Sequence, residues 1–217
     1  MQRSTRLVAL AVLVSAGAAL ALPPELARKV LSRARSLLFV RYEFGGRVRG
    51  DEGIDCQGLV FRALEAATPC GFQSFSVLNV NNLRDRELGA PVPGLSPVAT
   101  AALELEKLEP GDVVWLVGPE RNAAEGPIGQ LDGRDVWVWH TGLYAGDGQW
   151  IVGDHYAGKV VETGLREYLA AHGDVYTGVF VLRMERGPKP KTCRAPRRKD
   201  AVEHFLPDGG VVPFSRP

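Results

Sequence analysis

The hydrophobic repeat of this chain changes period once, at Pro110-Gly111-Asp112. Upstream, Leu26, Val30, Leu31, Ala34, Leu37 and Leu38 recur at helical spacing, and Leu59, Val60, Ala63 and Leu64 do so again. Pro23-Pro24-Glu25 opens the first helix, with proline and an acidic side chain suited to a first turn. Gly45-Gly46 ends it, and Thr68-Pro69 closes the second pattern, which runs over 54–67. Downstream, short Val- and Trp-rich runs at 113–117, 136–144, 149–152, 160–161 and 179–182 read as strands. Gly146-Asp147-Gly148 is a hairpin turn between two of them, and 165–171 is a short helix. Residues 71–110 read as irregular apart from a short helix over 100–108. Helices first and an antiparallel sheet afterwards define an α+β domain.

The two ends differ from this body. Arg3 and Arg6 precede an apolar run that reaches Ala19 and Ala21, the small residues of a cleavage site. That pattern reads as a secretory signal peptide over 1–21, with an uncleaved anchor as its alternative. Residues 22–185 read as one domain, and 186–217 as a basic, Pro-rich tail. The body carries 16 basic and 22 acidic residues, the tail 8 and 3. An overall charge of +1 argues against a nucleic-acid partner. The tail's charge suits weak contact with anionic polymers or lipid head groups, against the plainer reading of a solvated end. Of three cysteines, Cys70 and Cys193 are the expected pair, which leaves Cys56 free.

Cys56 lies in Gly53-Ile54-Asp55-Cys56-Gln57-Gly58-Leu59-Val60, where loop becomes helix. A helix N-terminus favours the thiolate and offers N–H donors to an oxyanion. His140, in the strand pattern His140-Thr141-Gly142-Leu143-Tyr144, supplies a base that later serves as acid.

Tyr42-Glu43-Phe44-Gly45-Gly46 followed by Asp55-Cys56-Gln57-Gly58-Leu59-Val60 resembles the nucleophile region of the NlpC/P60 cysteine peptidases. Leu108-Glu109-Pro110-Gly111-Asp112-Val113-Val114 resembles that family's turn into its first core strand. His140-Thr141-Gly142-Leu143-Tyr144-Ala145-Gly146-Asp147-Gly148 resembles its histidine strand and hairpin. The resemblance implies a papain-like NlpC/P60 fold, N-terminal helices packed on an antiparallel sheet. It also implies hydrolysis of peptide bonds in peptidoglycan stem peptides without metal or other cofactor; a monomer is the default expectation, and the N-terminal segment sets its location as secreted or periplasmic, in the cell envelope. By the same likeness Tyr42 and Asp55 are substrate-binding residues. Core packing for Tyr42 and a helix cap for Asp55 are the structural alternatives.

Three features depart from the family pattern. Gln57 replaces the usual serine after the nucleophile. Residues 119–134 form a polar insert, read either as a lid or specificity loop or as a surface excursion. The position expected to orient the histidine falls on Val152, which has no polar group. Asp154 shares its strand parity and is the preferred orienting residue, while a bulge at Gly153 would bring in His155 instead. The competing functions are an amidase or acyl transferase with the same triad, and a noncatalytic wall-binding protein.

Overall fold

The computed structural model describes residues 23–49, 53–68, 71–123 and 125–184. The segment read as a signal peptide, the tail, Cys70 and Cys193 lie outside these. Among the described residues, no helix is long and apolar enough to cross a membrane.

Helix α1 spans Pro24–Arg35 and buries Ala27, Val30, Leu31 and Ala34, one stripe at helical spacing. A single short turn, α2 (Gly46–Arg49), precedes α3 (Cys56–Leu64), which is buried along almost its whole length. The segment read as irregular contains α4 (Asn79–Arg84) and two short strands, β1 (Ala90–Pro91) and β2 (Val98–Ala99). The helix expected over 100–108 is instead two 3-10 turns, Thr100–Ala102 and Leu105–Lys107. Leu103 and Leu108 are drawn into one apolar cluster, and each follows a turn with extended backbone.

The remaining strands are β3 (Val113–Gly118), β4 (Gly129–Leu131), β5 (Arg134–Gly146), β6 (Gln149–Asp154), β7 (Lys159–Gly164) and β8 (Gly178–Arg183), with α5 (Leu165–Ala171) after β7. They form an antiparallel sheet in the order β1-β8-β3-β5-β6-β7, with β2 on β8 and β4 on β5. The β5–β6 turn uses Asp147 and Gly148 at φ 50° and 75°, the left-handed geometry of a tight hairpin.

Both faces of the sheet are covered, which explains the unbroken apolar run of β3. Val113, Trp115, Val117, Leu143 and Ile151 pack with Val30, Leu31, Leu59, Val60 and Leu64 of α1 and α3. Val114, Leu116, Trp150, Val152, Val179 and Val181 pack with Leu165, Tyr168 and Leu169 on the other face. The expected α+β architecture, helices on an antiparallel sheet, is therefore the observed one.

Candidate active site

Asp55 starts α3. Its Oδ1 accepts from the Gly58 N–H at 2.6 Å, the N-cap bond that satisfies a first-turn donor. Its Oδ2 accepts from Arg47 Nε at 2.6 Å and from the Gly45 N–H at 3.2 Å. With 0% of its surface exposed and both oxygens engaged, Asp55 forms the helix cap that was its structural alternative.

Cys56 follows at the point where β5 and β6 part. The β5–β6 ladder runs from Gly146/Gln149 to Gly142/Val152. Just beyond, the backbone N–H groups of Thr141 and Gln57 bond the Cys56 sulfur. A Cβ on Gly153 would lie 3.1 Å from Asp55 backbone atoms and 3.2 Å from the Cys56 Cα. Glycine there lets the helix end press against β6.

Continuing the β5–β6 register sets Asp154 directly across from His140. Two details aim these side chains. A bulge at Trp139 separates the Leu116/His140 and Val117/Val138 pairs, so His140 is the first residue after an extra one. The β6–β7 register, in contrast, is unbroken from Gln149/Gly164 to Asp154/Lys159. No bulge at Gly153 turns His155 inward. His155 instead follows the strand and approaches from the turn, its ring 5.6 Å from that of His140 and nearly perpendicular.

His140 is 2% exposed, and its Nε2 is buried with no hydrogen-bond partner. Its ring lies nearly parallel to those of Tyr168 and Tyr176, at 5.9 and 6.1 Å, and edge-on to Trp150 at 6.0 Å. Asp154 Oδ1 accepts from the Tyr156 N–H at 2.8 Å and from the Tyr168 hydroxyl at 3.4 Å. Tyr42 stands 6.1 Å from the His155 ring. Tyr42, beside His155, and Tyr168 and Tyr176, stacked on His140, are the three phenols of this region.

Burial dominates the electrostatics. It pushes the Cys56 thiol up to about 12; Asp55 adds to the rise, and Arg47 with the two N–H bonds opposes it. The helix-end preference for thiolate is thus outweighed by desolvation. Burial pushes His140 down to about 3, helped by His155 and His172. Burial thus favours the neutral form of both the Cys56 thiol and the His140 imidazole. Burial also raises the three phenols, so they stay protonated as donors.

One ligand atom each from His140, Asp154 and His155 lie within 4.8 Å of one another. Two histidines and a carboxylate are a zinc-compatible donor set, and they are equally the groups that acid–base chemistry needs. Of the residues expected from the sequence, the structure groups His140, Asp154 and His155, with Tyr42 near the His155 ring and Cys56 on the helix end that presses against Gly153. Sequence reasoning missed Arg47, in the connection between two quoted motifs, and Tyr168 and Tyr176, which lie far along the chain from Cys56 in unremarkable local patterns.

No protein-family model matches the chain, and no curated protein matches it. Among solved structures, an N-acetylmuramoyl-L-alanine amidase from Bacteroides uniformis has a TM-score of 0.55 at 15% identity, covering 74% of this chain and 99% of that one. This chain shares its fold. Peptidoglycan hydrolase RipB from Mycobacterium tuberculosis matches with a TM-score of 0.44 at 23% identity, covering 76% and 69%. The NlpC/P60 domain of peptidoglycan hydrolase SagA matches at 0.43 and 15%, covering 73% and 98%.

Proposed function

We propose that this chain is an exported thiol hydrolase that cleaves peptide bonds in peptidoglycan stem peptides. The observation that carries the reading is the cluster of buried His140 and Asp154 with His155, beside Gly153, against which the capped helix start at Cys56 presses. As Cys56 Sγ bonds to the substrate carbonyl, its proton passes to His140. First-turn N–H groups of α3, of which Asp55 claims that of Gly58, and the Tyr42 hydroxyl stabilise the oxyanion. His140 then gives the proton to the departing amine as the C–N bond breaks, leaving a thioester. Water, deprotonated by His140, cleaves the thioester, which frees a carboxylate and restores the thiol. Asp154 fixes the His140 ring.

His155 is the second choice for that orienting task, because its ring meets that of His140 edge-on. Asp154→Asn should lower kcat more than His155→Gln does. The reverse order would transfer the role.

This function places the protein in the cell envelope, with residues 1–21 as its export signal. Mass-resolved digestion of purified peptidoglycan, with Cys56→Ala alongside, tests it. Wild type alone should release fragments cut within the stem peptide. The Bacteroides uniformis amidase has the same fold, so intact free stems would move the cut to the sugar–peptide amide. An unchanged wall in both samples contradicts a hydrolase and favours a wall-binding protein.

A further inference from the structure

Gln57 and the 119–134 insert, the two departures left unexplained by the triad, are joined by one chain of hydrogen bonds. Arg47 Nη1 donates to the Gln57 side-chain oxygen while its Nε holds Asp55. Gln57 Nε2 donates to Asn79 Oδ1 at 3.0 Å. Asn79 in turn donates twice to Glu125, from its backbone N–H at 3.0 Å and from Nδ2 at 2.9 Å. The path therefore runs from the insert, across α4, to the residue after the nucleophile. Arg47, Asp55, Gln57 and Asn79 are all buried.

The insert is anchored on its other side as well. Ile128 is buried in the helix-face core and its N–H bonds the Val136 carbonyl. Glu125 is thus presented to Asn79 by a short segment tied into the sheet. A serine after Cys56 would be too short to span between Arg47 and Asn79, and the longer glutamine amide bonds both. A carboxylate at 125 also places negative charge close enough to act on Arg47, the cation that opposes the rise of the Cys56 thiol.

Resting on the thiol-hydrolase reading, we infer that Glu125 is a positioning residue for Cys56. It acts through Asn79 and Gln57 on the first turn of α3, and through Arg47 on the charge that the thiolate meets. The polar insert is then a brace for the nucleophile.

The test uses the full chain and two readouts: kcat and KM on a soluble stem-peptide substrate, and site-resolved iodoacetamide alkylation of Cys56 against pH. Glu125→Ala should lower kcat roughly tenfold, with KM within about twofold, because a misplaced nucleophile costs rate more than binding. Glu125→Gln keeps one acceptor oxygen for the two Asn79 donors and should recover part of kcat. Both variants remove a negative charge near Arg47, so both should shift the alkylation profile to lower pH. A folded Glu125→Ala with unchanged kcat and an unshifted profile overturns the inference. If Glu125→Ala fails to fold, Glu125→Gln decides by the same profile: a shift supports the inference, and no shift overturns it. If the wild type hydrolyses nothing, the function falls, while alkylation still reports on the brace.

Discussion

The two sides of Cys56 are built on opposite rules. On one side, Arg47, Asp55, Gln57, Asn79 and Glu125 form a continuous polar network with a partner for each named group. On the other, His140 sits among Tyr168, Tyr176 and Trp150, and its Nε2 lacks a hydrogen-bond partner. A buried polar group is usually satisfied, because leaving it unpaired costs about 1–3 kcal/mol. The contrast teaches that the paired side is a hydrogen-bonded scaffold, whereas the other side keeps a neutral imidazole buried among aromatic rings.

The strongest way to break this contrast is to remove the nucleophile or the base. Cys56→Ala and His140→Gln should each lower hydrolysis about a thousandfold or more while leaving the fold intact. Activity assays with circular dichroism check both. Residual turnover near wild type in either variant would move the chemistry elsewhere.

The scaffold side should answer in stability. Arg47→Met leaves the Asp55 carboxylate buried and unpaired, a loss of about 3–5 kcal/mol. Adding Asp55→Asn should return part of that loss, and urea unfolding of the two single variants and the double variant measures the coupling.

Acid should sharpen the comparison on the histidine side. His140 in the folded protein is pushed down to about 3, whereas in the unfolded chain it binds a proton near its ordinary value. The unfolded state therefore holds more protons between those values, and stability falls as pH drops through them, by about 1.4 kcal/mol per pH unit. Asp112 and Glu125, both raised by burial, bend the curve the other way. Comparing wild type with His140→Gln isolates the histidine: the variant should lose less stability between about pH 7 and about pH 5.

The smallest expected effect comes from the hinge between the two sides. Gly153→Ala pushes a methyl group against the Asp55 backbone and the Cys56 Cα, at a cost of about 1–3 kcal/mol. Its drop in thermal midpoint should come with a drop in kcat, since the displaced atoms carry the thiol.

The sequence reading reached the catalytic side further than the scaffold. Strand runs, the Asp147-Gly148 turn and the Cys56 helix start are written in local spacing, which neighbours along the chain enforce. Asp154 was reachable through parity alone, because β6 stays in register to its end. The bulge at Trp139 left no local signature, since it exists only relative to β3. Asn79 and Glu125 were illegible for the same reason: 46 residues separate them, and tertiary packing alone joins them. The preference for thiolate at a helix start failed because burial, a property of the whole fold, outweighs it at Cys56.

The most direct test of the central claim is to trap the intermediate. The protein is mixed with a peptidoglycan stem peptide, quenched in acid within a turnover, digested and mapped by mass spectrometry. The account predicts an acyl fragment of the stem on the peptide that contains Cys56, absent from Cys56→Ala. Hydrolysis that proceeds with no adduct at Cys56, or with the adduct on another residue, would contradict it.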